Sequence, residues 1–402
     1  SNVIHMSDMF ADCSGLTSLD VSNFDTSTVL EMDGMFQGCS GLTTIYAGDG
    51  WNTDAVEESD GMFNECVNLE GDIQFDSSVV DKTYAITSEG YLTYRGQTAT
   101  LAAGSGWYKS SENRNTITKI TFKNSYTPTT TADETWAADV NGTGDITCYR
   151  TGTEIIIAGN GAGNILANPN SNYMFSYSKS GSEFKKLTAI ENLRLLDTSK
   201  VISMGDMFYN CTELTSIDVS NFKTSNVTDM SEMFRNCTRL TSLDVSNFNT
   251  SNVTDMSWMF NNCEGLTNID VSNWNTSNVT DMRDMFYNCT GLTNLDFSNW
   301  NTSNVKDMHS MFYDCTGLTS IDVSNFKTSN VTDMSWMFNN CEGLTNIDVS
   351  GFDTSKVTGM DRMFFECKAL TSIDVSNFKT SNVTDMSEMF GYCIALTTIY
   401  AG

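Results

Sequence analysis

The sequence predicts a repeat solenoid: two arrays of stacked coils joined by a small β-rich segment. Three observations predict it. The 21 residues NVTDMSWMFNNCEGLTNIDVS occur twice without change, at 252–272 and 330–350. Cys211, Cys237, Cys263, Cys289, Cys315, Cys341, Cys367 and Cys393 follow one another every 26 residues, and Cys13, Cys39 and Cys66 keep nearly the same beat. Each unit carries the same order of apolar positions. A fixed period in the twenties marks a stack of identical supersecondary units. One such unit cannot bury its own apolar face, so it folds only against its neighbours.

The elements of one unit follow in chain order. Ile217 and Val219 alternate with Ser216, Asp218 and Ser220, the period of two of a half-buried strand. NFKTS (221–225) is rich in turn formers. Met230, Met233, Phe234 and Cys237 then fall at i, i+3, i+4 and i+7, which predicts one face of a short helix. Asp229 or Ser231 stands where that helix would be capped. The expected coil is therefore leucine-rich-repeat-like, with a strand plus a short helix in each 26 residues.

The period divides the chain. Residues 1–95 read as an N-terminal array already under way at its first residue, ending in DKTYAITSEGYLTY (81–94). Residues 187–402 read as a second array of about eight coils. Between them, 96–186 lose the period. ITKITF (117–122), DITCYR (145–150) and TEIIIAG (153–159) read as strands, and TPTTTADE (127–134) as a loop. This segment is expected to cap the second array and join it to the first. Both ends of the sequence fall inside a repeat, so any targeting or anchoring segment is expected outside it.

Charge narrows the partners. The chain holds 50 acidic and 22 basic residues, a formal charge of −28. The acid belongs to the repeats, because 96–186 are close to neutral. A phosphate-reading protein needs a basic stripe, so nucleic acid is excluded as a partner, as is docking on an anionic membrane. No apolar run approaches the ~20 residues of a membrane span.

The consensus C-x-x-L-T-x-I-D-V-S-N-F-x-T-S-N-V-T-D-M-x-x-M-F-x-x-C resembles the BspA-like leucine-rich-repeat surface proteins of bacteria, over about three quarters of the chain. Phe222 and its equivalents depart from general leucine-rich repeats by standing where a buried Asn is usual. The resemblance implies secretion or cell-surface display and adhesion to host proteins or other cells. It brings no catalytic residue.

In a solenoid, equivalent residues stack into columns, and each column is a candidate site. The cysteines lie one period apart, without the local spacing of zinc ligands, and read as buried free thiols. Met230, Met233, Trp274 and Trp300 read as core. Asp218, Asp244, Asp270, Asp296, Asp322, Asp348 and Asp374 share one outward strand position. Neighbouring carboxylates repel, so hydrogen bonds from Ser220 and its equivalents, or bridging calcium, must offset them. Asp229, Asp255, Asp281, Asp307, Asp333 and Asp385 read as helix caps.

Ligand binding is sought where coils differ. Position 232 reads Glu232, Trp258, Asp284, Ser310, Trp336 and Arg362 in successive coils, a column open to water. Trp258 and Trp336 are therefore expected exposed, near Tyr287, Tyr313 and Phe365, as a patch for a protein or glycan. A spacer that carries other modules is the alternative. Nothing resembles an enzyme: His5 and His309 are the only histidines, and no nucleophile motif, phosphate loop or metal cluster is present. No cofactor is expected apart from the calcium alternative.

Overall fold

A computed structural model of the chain describes residues 2–48, 50–71, 73–87, 90–94, 99–161, 164–176 and 183–402. It forms two units. One comprises Ser1–Ala99 with Gly159–Asn164, the other Thr100–Ala158 with Ile165–Gly402. The expected boundary at 95/96 lies outside the described residues, as do residues 88–89 of the stretch read as the end of the first array.

In the first unit β1 (Ser18–Val21), β2 (Thr44–Ala47) and β3 (Leu92–Tyr94) pair side by side and in parallel. Parallel pairing of sequential strands is what stacked coils require. Met35, Phe36, Cys39, Met62, Phe63 and Cys66 fill the interior.

The second unit opens with a five-stranded sheet. Its strands are β4 (Lys119–Lys123), β5 (Glu134–Ala137), β6 (Thr147–Thr151), β7 (Glu154–Ala158) and, after the short β8 (Ile165–Leu166), β9 (Ala189–Glu191). The order is β5-β6-β7-β4-β9. β5, β6 and β7 are antiparallel, whereas β7, β4 and β9 are parallel. The three strands read from the sequence are present, and β5 adds a fourth at the end of the expected loop. β8 pairs in parallel with β10 (Leu196–Asp197), and the Phe175 ring stacks on Phe208 at 5.2 Å. Residues 165–176 thus form a rung of the stack inside the segment that loses the sequence period. The Met174-Phe175 pair is its surviving trace in the sequence.

Short parallel pairs continue at β11 (Ser216–Ile217) with β12 (Ser242–Leu243), and at β13 (Ser372–Val375) with β14 (Thr398–Ala401). On the opposite side the coils are joined throughout. There the expected helix is absent, and a ladder of turns takes its place. The N–H groups of Met230, Glu232, Phe234 and Asn236 donate to the carbonyls of Asp255, Ser257, Met259 and Asn261 in the next coil, at 2.7–3.1 Å. The alternate N–H groups of Met233, Arg235 and Cys237 close turns onto Met230, Glu232 and Phe234. A helix would send each of these N–H groups four residues back along its own chain. Glu232 and Asn236 have left-handed backbones, φ 56° and 61°, and all their equivalents in the second array do likewise. In the first array Gly34, Gly38 and Gly61 take such positions, with φ between 58° and 72°. Three overlapping four-residue turns place residues 230, 233, 234 and 237 inward, the same set as one helical face. That coincidence is why periodicity predicts the wrong element.

The core is as the columns predict. Met230, Met233, Phe234 and Cys237 are wholly buried, and their equivalents through Cys367 are too, or within 1% of it. The phenylalanine rings stack coil upon coil, as in Phe234 on Phe260 at 5.8 Å and Phe260 on Phe286 at 5.5 Å. Trp274 and Trp300 are buried, and their indole N–H groups donate to the carbonyls of Val245 and Val271. From Cys39 on, each column thiol donates to the carbonyl of a phenylalanine in the preceding coil, such as Cys263 to Phe234 at 3.2 Å. The cysteines are free, Cys13 is exposed, and burial pushes thiols such as Cys263 up from their usual range.

Polar columns lock the turns. The buried Thr224 hydroxyl donates to the Asn249 carbonyl and accepts from the Asn249 N–H, and Thr250 and Thr276 likewise donate to Asn275 and Asn301. The Asn226, Asn252 and Asn278 amides donate to backbone carbonyls one coil back. The columns of the turns are therefore internal ladders.

Candidate functional site

The aspartates of the Asp218 column are exposed, only Asp374 among them lies within a strand, and serines two residues on hold them. Asp218 Oδ1 accepts from the Ser220 N–H at 3.1 Å and from the Ser220 hydroxyl at 2.6 Å. Asp244, Asp270 and Asp322 repeat both bonds. Asp296, Asp348 and Asp374 accept from the N–H of Ser298, Ser350 and Ser376. The serine hydroxyl beside Asp218, Asp244, Asp270, Asp322, Asp348 and Asp374 holds each carboxyl below the usual range. Among the described residues, no three His, Cys, Asp or Glu side chains converge where a metal ion could sit.

The second aspartate column caps turns and not helices. Asp229 Oδ1 accepts from the N–H and the hydroxyl of Ser231, and Asp255 does the same with Ser257. A carboxylate two residues before an N–H makes this turn without any helix dipole.

The five aromatics read as a ligand patch lie on the turn face, but they are half-buried and not exposed. The left-handed backbone at Trp258 (φ 54°) and Trp336 (φ 63°) lays each side chain along the ladder, against its neighbours. Tyr287 and Tyr313 stack at 4.4 Å, nearly parallel. Tyr313 meets Trp336 at 5.7 Å, and the indole N–H of Trp336 donates to Asp361 at 2.7 Å. Arg362 lies 4.5 Å above the Trp336 ring and 5.6 Å from Phe365, and Phe365 meets Tyr392 edge-on. At the other end Arg283 and Arg235 lie 4.4 and 5.8 Å from the Trp258 ring. The result is a ribbon whose ring faces are covered by one another and by guanidinium groups, and whose edges meet solvent.

The arginines complete this ribbon, and column reading by residue type alone did not join them to it. Each also touches a carboxylate: Arg235 with Glu232 at 2.7 Å, Arg283 with Asp281 at 3.3 Å, Arg362 with Glu388 at 2.6 Å. Burial raises the Asp284 carboxyl to about 6 and the Tyr287 hydroxyl to about 12. The nearby Asp333 carboxylate raises His309. Beside the ribbon runs a second feature absent from the sequence reading, an asparagine ladder. Asn236 donates to Asn210, Asn262 to Asn236 and Asn288 to Asn262, at 2.7–2.9 Å.

Stacked coils, parallel strand pairs and an unbroken turn ladder define the class as a repeat solenoid. The chain belongs to the family described as "Mycoplasma protein of unknown function, DUF285", whose model matches residues 1–90, 172–294, 256–369 and 318–399. No curated protein matches it. Among solved structures it is similar to a leucine rich cell surface protein from Faecalibacterium prausnitzii A2-165. Identity there is 18%, over 76% of this chain and 90% of that one, with a TM-score of 0.25. It is also similar to a TLR13–ssRNA13 complex, with 11% identity over 96% of this chain and 50% of that one, at a TM-score of 0.24. Among the described residues no helix is long and apolar enough to cross a membrane.

Proposed function

We propose that this protein is a non-enzymatic scaffold, secreted or displayed on a bacterial surface, that holds a protein or glycan ligand on the turn face of its second array. The site runs along Trp258, Tyr287, Tyr313, Trp336 and Phe365, with Arg283 and Arg362. One observation carries this reading: coils that are otherwise near-copies concentrate Trp, Tyr and Arg where they differ, half-exposed, on a rigid ladder. These residue types dominate binding interfaces. Rings that are already stacked lose little freedom when a ligand arrives. The ligand meets ring edges, hydroxyls and guanidinium rims, since neighbours cover the ring faces. The BspA-like resemblance of the consensus supports surface display and adhesion.

The test is the double substitution Trp258→Ser, Trp336→Ser, assayed on a glycan array and by capture of host matrix proteins. At ~2 kcal/mol or more for each hot spot, capture falls at least ~30-fold for each tryptophan. Unaltered capture would count against the ribbon. A spacer that presents other modules is the second reading, favoured by the covered ring faces. In that case the double variant melts earlier and no ligand is captured by either protein.

Two further expectations belong to this reading. The serine hydrogen bonds support the aspartate column without calcium. The melting temperature is therefore expected to be equal in millimolar calcium and in chelator, and a rise with calcium would restore metal bridging through Asp218 to Asp374. An enzymatic role is not part of this reading, and the two histidines pair with acids within the repeats, His5 with Glu31 at 2.8 Å and His309 with Asp333 at 3.8 Å. Nucleic acid and membrane insertion are left out on charge and hydropathy.

A further inference from the structure

The ribbon holds one clamp twice. Trp258 and Trp336 occupy equivalent places in the two identical 21-residue stretches, three coils apart. The coils that follow them are not copies: one reads Arg283-Asp284, the other Asp361-Arg362. Yet each brings a guanidinium onto the indole before it, Arg283 at 4.4 Å from the Trp258 ring and Arg362 at 4.5 Å from the Trp336 ring. Each following coil also carries an aromatic at the same place, Tyr287 and Phe365. Duplication accounts for the two tryptophans. It does not account for two arginines that reach them from different positions. Tyr313 joins the clamps, stacked on Tyr287 at 4.4 Å and lying 5.7 Å from Trp336.

Spacing and chemistry select the ligand. The buried rings of the same coils, Phe260, Phe286, Phe312 and Phe338, follow at 5.5, 5.8 and 5.4 Å, which sets the clamps about 17 Å apart along the stack. An extended peptide presents one side every ~6.6 Å and falls out of step with the coils. A helix keeps step at ~5.4 Å per turn, but it docks through apolar anchors in an open groove, and here neighbouring groups cover the ring faces. A linear glycan advances by about one coil with each sugar. Its hydroxyl groups both donate and accept, and the ribbon offers guanidinium donors, carboxylate acceptors and tyrosine hydroxyls that do either. Each arginine is already matched by an acid, Arg283 with Asp281 at 3.3 Å and Arg362 with Glu388 at 2.6 Å, so the clamps call for no charge on the ligand. The formal charge of −28 opposes a polyanion.

We infer, on the turn-face reading proposed above, that the ligand is a neutral linear glycan running along the array. It is gripped at two subsites, Trp258 with Arg283 and Trp336 with Arg362, three coils and so about three sugar steps apart. Neither clamp alone has to hold tightly. A glycan long enough to span both gains about 10²–10⁴-fold over one site through effective concentration, and a shorter one does not.

The experiment titrates the full chain by calorimetry with neutral β-1,4-linked oligosaccharides of glucose, mannose or N-acetylglucosamine, in lengths from two to about eight sugars, with heparin as the polyanionic control. In one series at least, affinity is expected to rise about 100-fold or more once the length passes about four sugars, and then to level off. Heparin should not bind. Trp336→Ser should remove the step, leaving long oligosaccharides no tighter than short ones. If that variant does not fold, Arg362→Gln, which empties the clamp without touching a ring, should remove the step instead. Binding independent of length, a step that survives in the clamp variant, tighter binding of heparin, or no binding in any neutral series would each overturn the inference. The turn-face reading fails separately: it falls if the Trp258→Ser, Trp336→Ser protein captures glycans or matrix proteins as the wild type does, whatever the length series shows.

Discussion

Replacing Phe286 with Ala is expected to destabilise the second array by about 3–5 kcal/mol, the cost of emptying a large aromatic site in a packed core. Phe286 is wholly buried. Its ring is sandwiched by Phe260 at 5.5 Å and Phe312 at 5.8 Å, with Phe297 at 6.2 Å to the side. The coils cannot collapse into the vacancy, because the turn ladder fixes their spacing on both sides through Phe260 N–H to Met285 O and Phe286 N–H to Met311 O, each 3.0 Å. The effect should be local. In a stack each coil leans on its nearest neighbours, so hydrogen exchange should rise most in the coils of Phe260, Phe286 and Phe312 and fade toward the ends. Phe286→Leu, which keeps most of the volume, should cost clearly less. A loss below about 1 kcal/mol for the alanine variant would mean that the rings are not the continuous spine described above.

The second large effect tests the turn ladder itself. Asn262 has φ 59°, donates to Asn236 at 2.7 Å and accepts from Asn288 at 2.9 Å. Asn262→Val puts a β-branched residue into the left-handed region, at about 1–2 kcal/mol. It also removes two side-chain hydrogen bonds, at about 0.5–1.5 kcal/mol each. The sum, about 2–5 kcal/mol, should appear as a lower denaturation midpoint. Asn262→Gly loses the same hydrogen bonds and relieves the backbone, so it should fall less. On a helix the order would reverse, because valine is the better helix former of the two. Equal or reversed effects would therefore sink the ladder.

These two residues also show where the sequence could be read and where it could not. Phe286 belongs to a column whose period, apolarity and placement beside Met285 and Cys289 marked it as interior without any coordinates. The same holds for Trp274 and Trp300, whose place in the Phe222 column outweighed their polar indole nitrogens. Asn262 carries a sequence signal as well. Asparagine or glycine recurs at its column, and those residues favour the left-handed backbone. The proposed ligand patch was legible only in part. Column variation found Trp258, Tyr287, Tyr313, Trp336 and Phe365, but their exposure was overestimated. A residue's openness to water depends on what the next coil lays over it, and Arg283 and Arg362 lie over the two tryptophans.

By itself the sequence determined the period, the inward set of side chains, the free thiols and the concentration of acid in the repeats. Each of these follows from residue type and spacing along one chain. Only the tertiary structure decided that the Met-Phe-Cys segment is a string of turns and that its arginines cover its tryptophans. The physical reason is the same for both. A backbone N–H can close a helix on its own chain or donate 25 residues ahead, and a half-buried side chain takes its partner from the coil stacked against it. Both choices are settled by contact between coils.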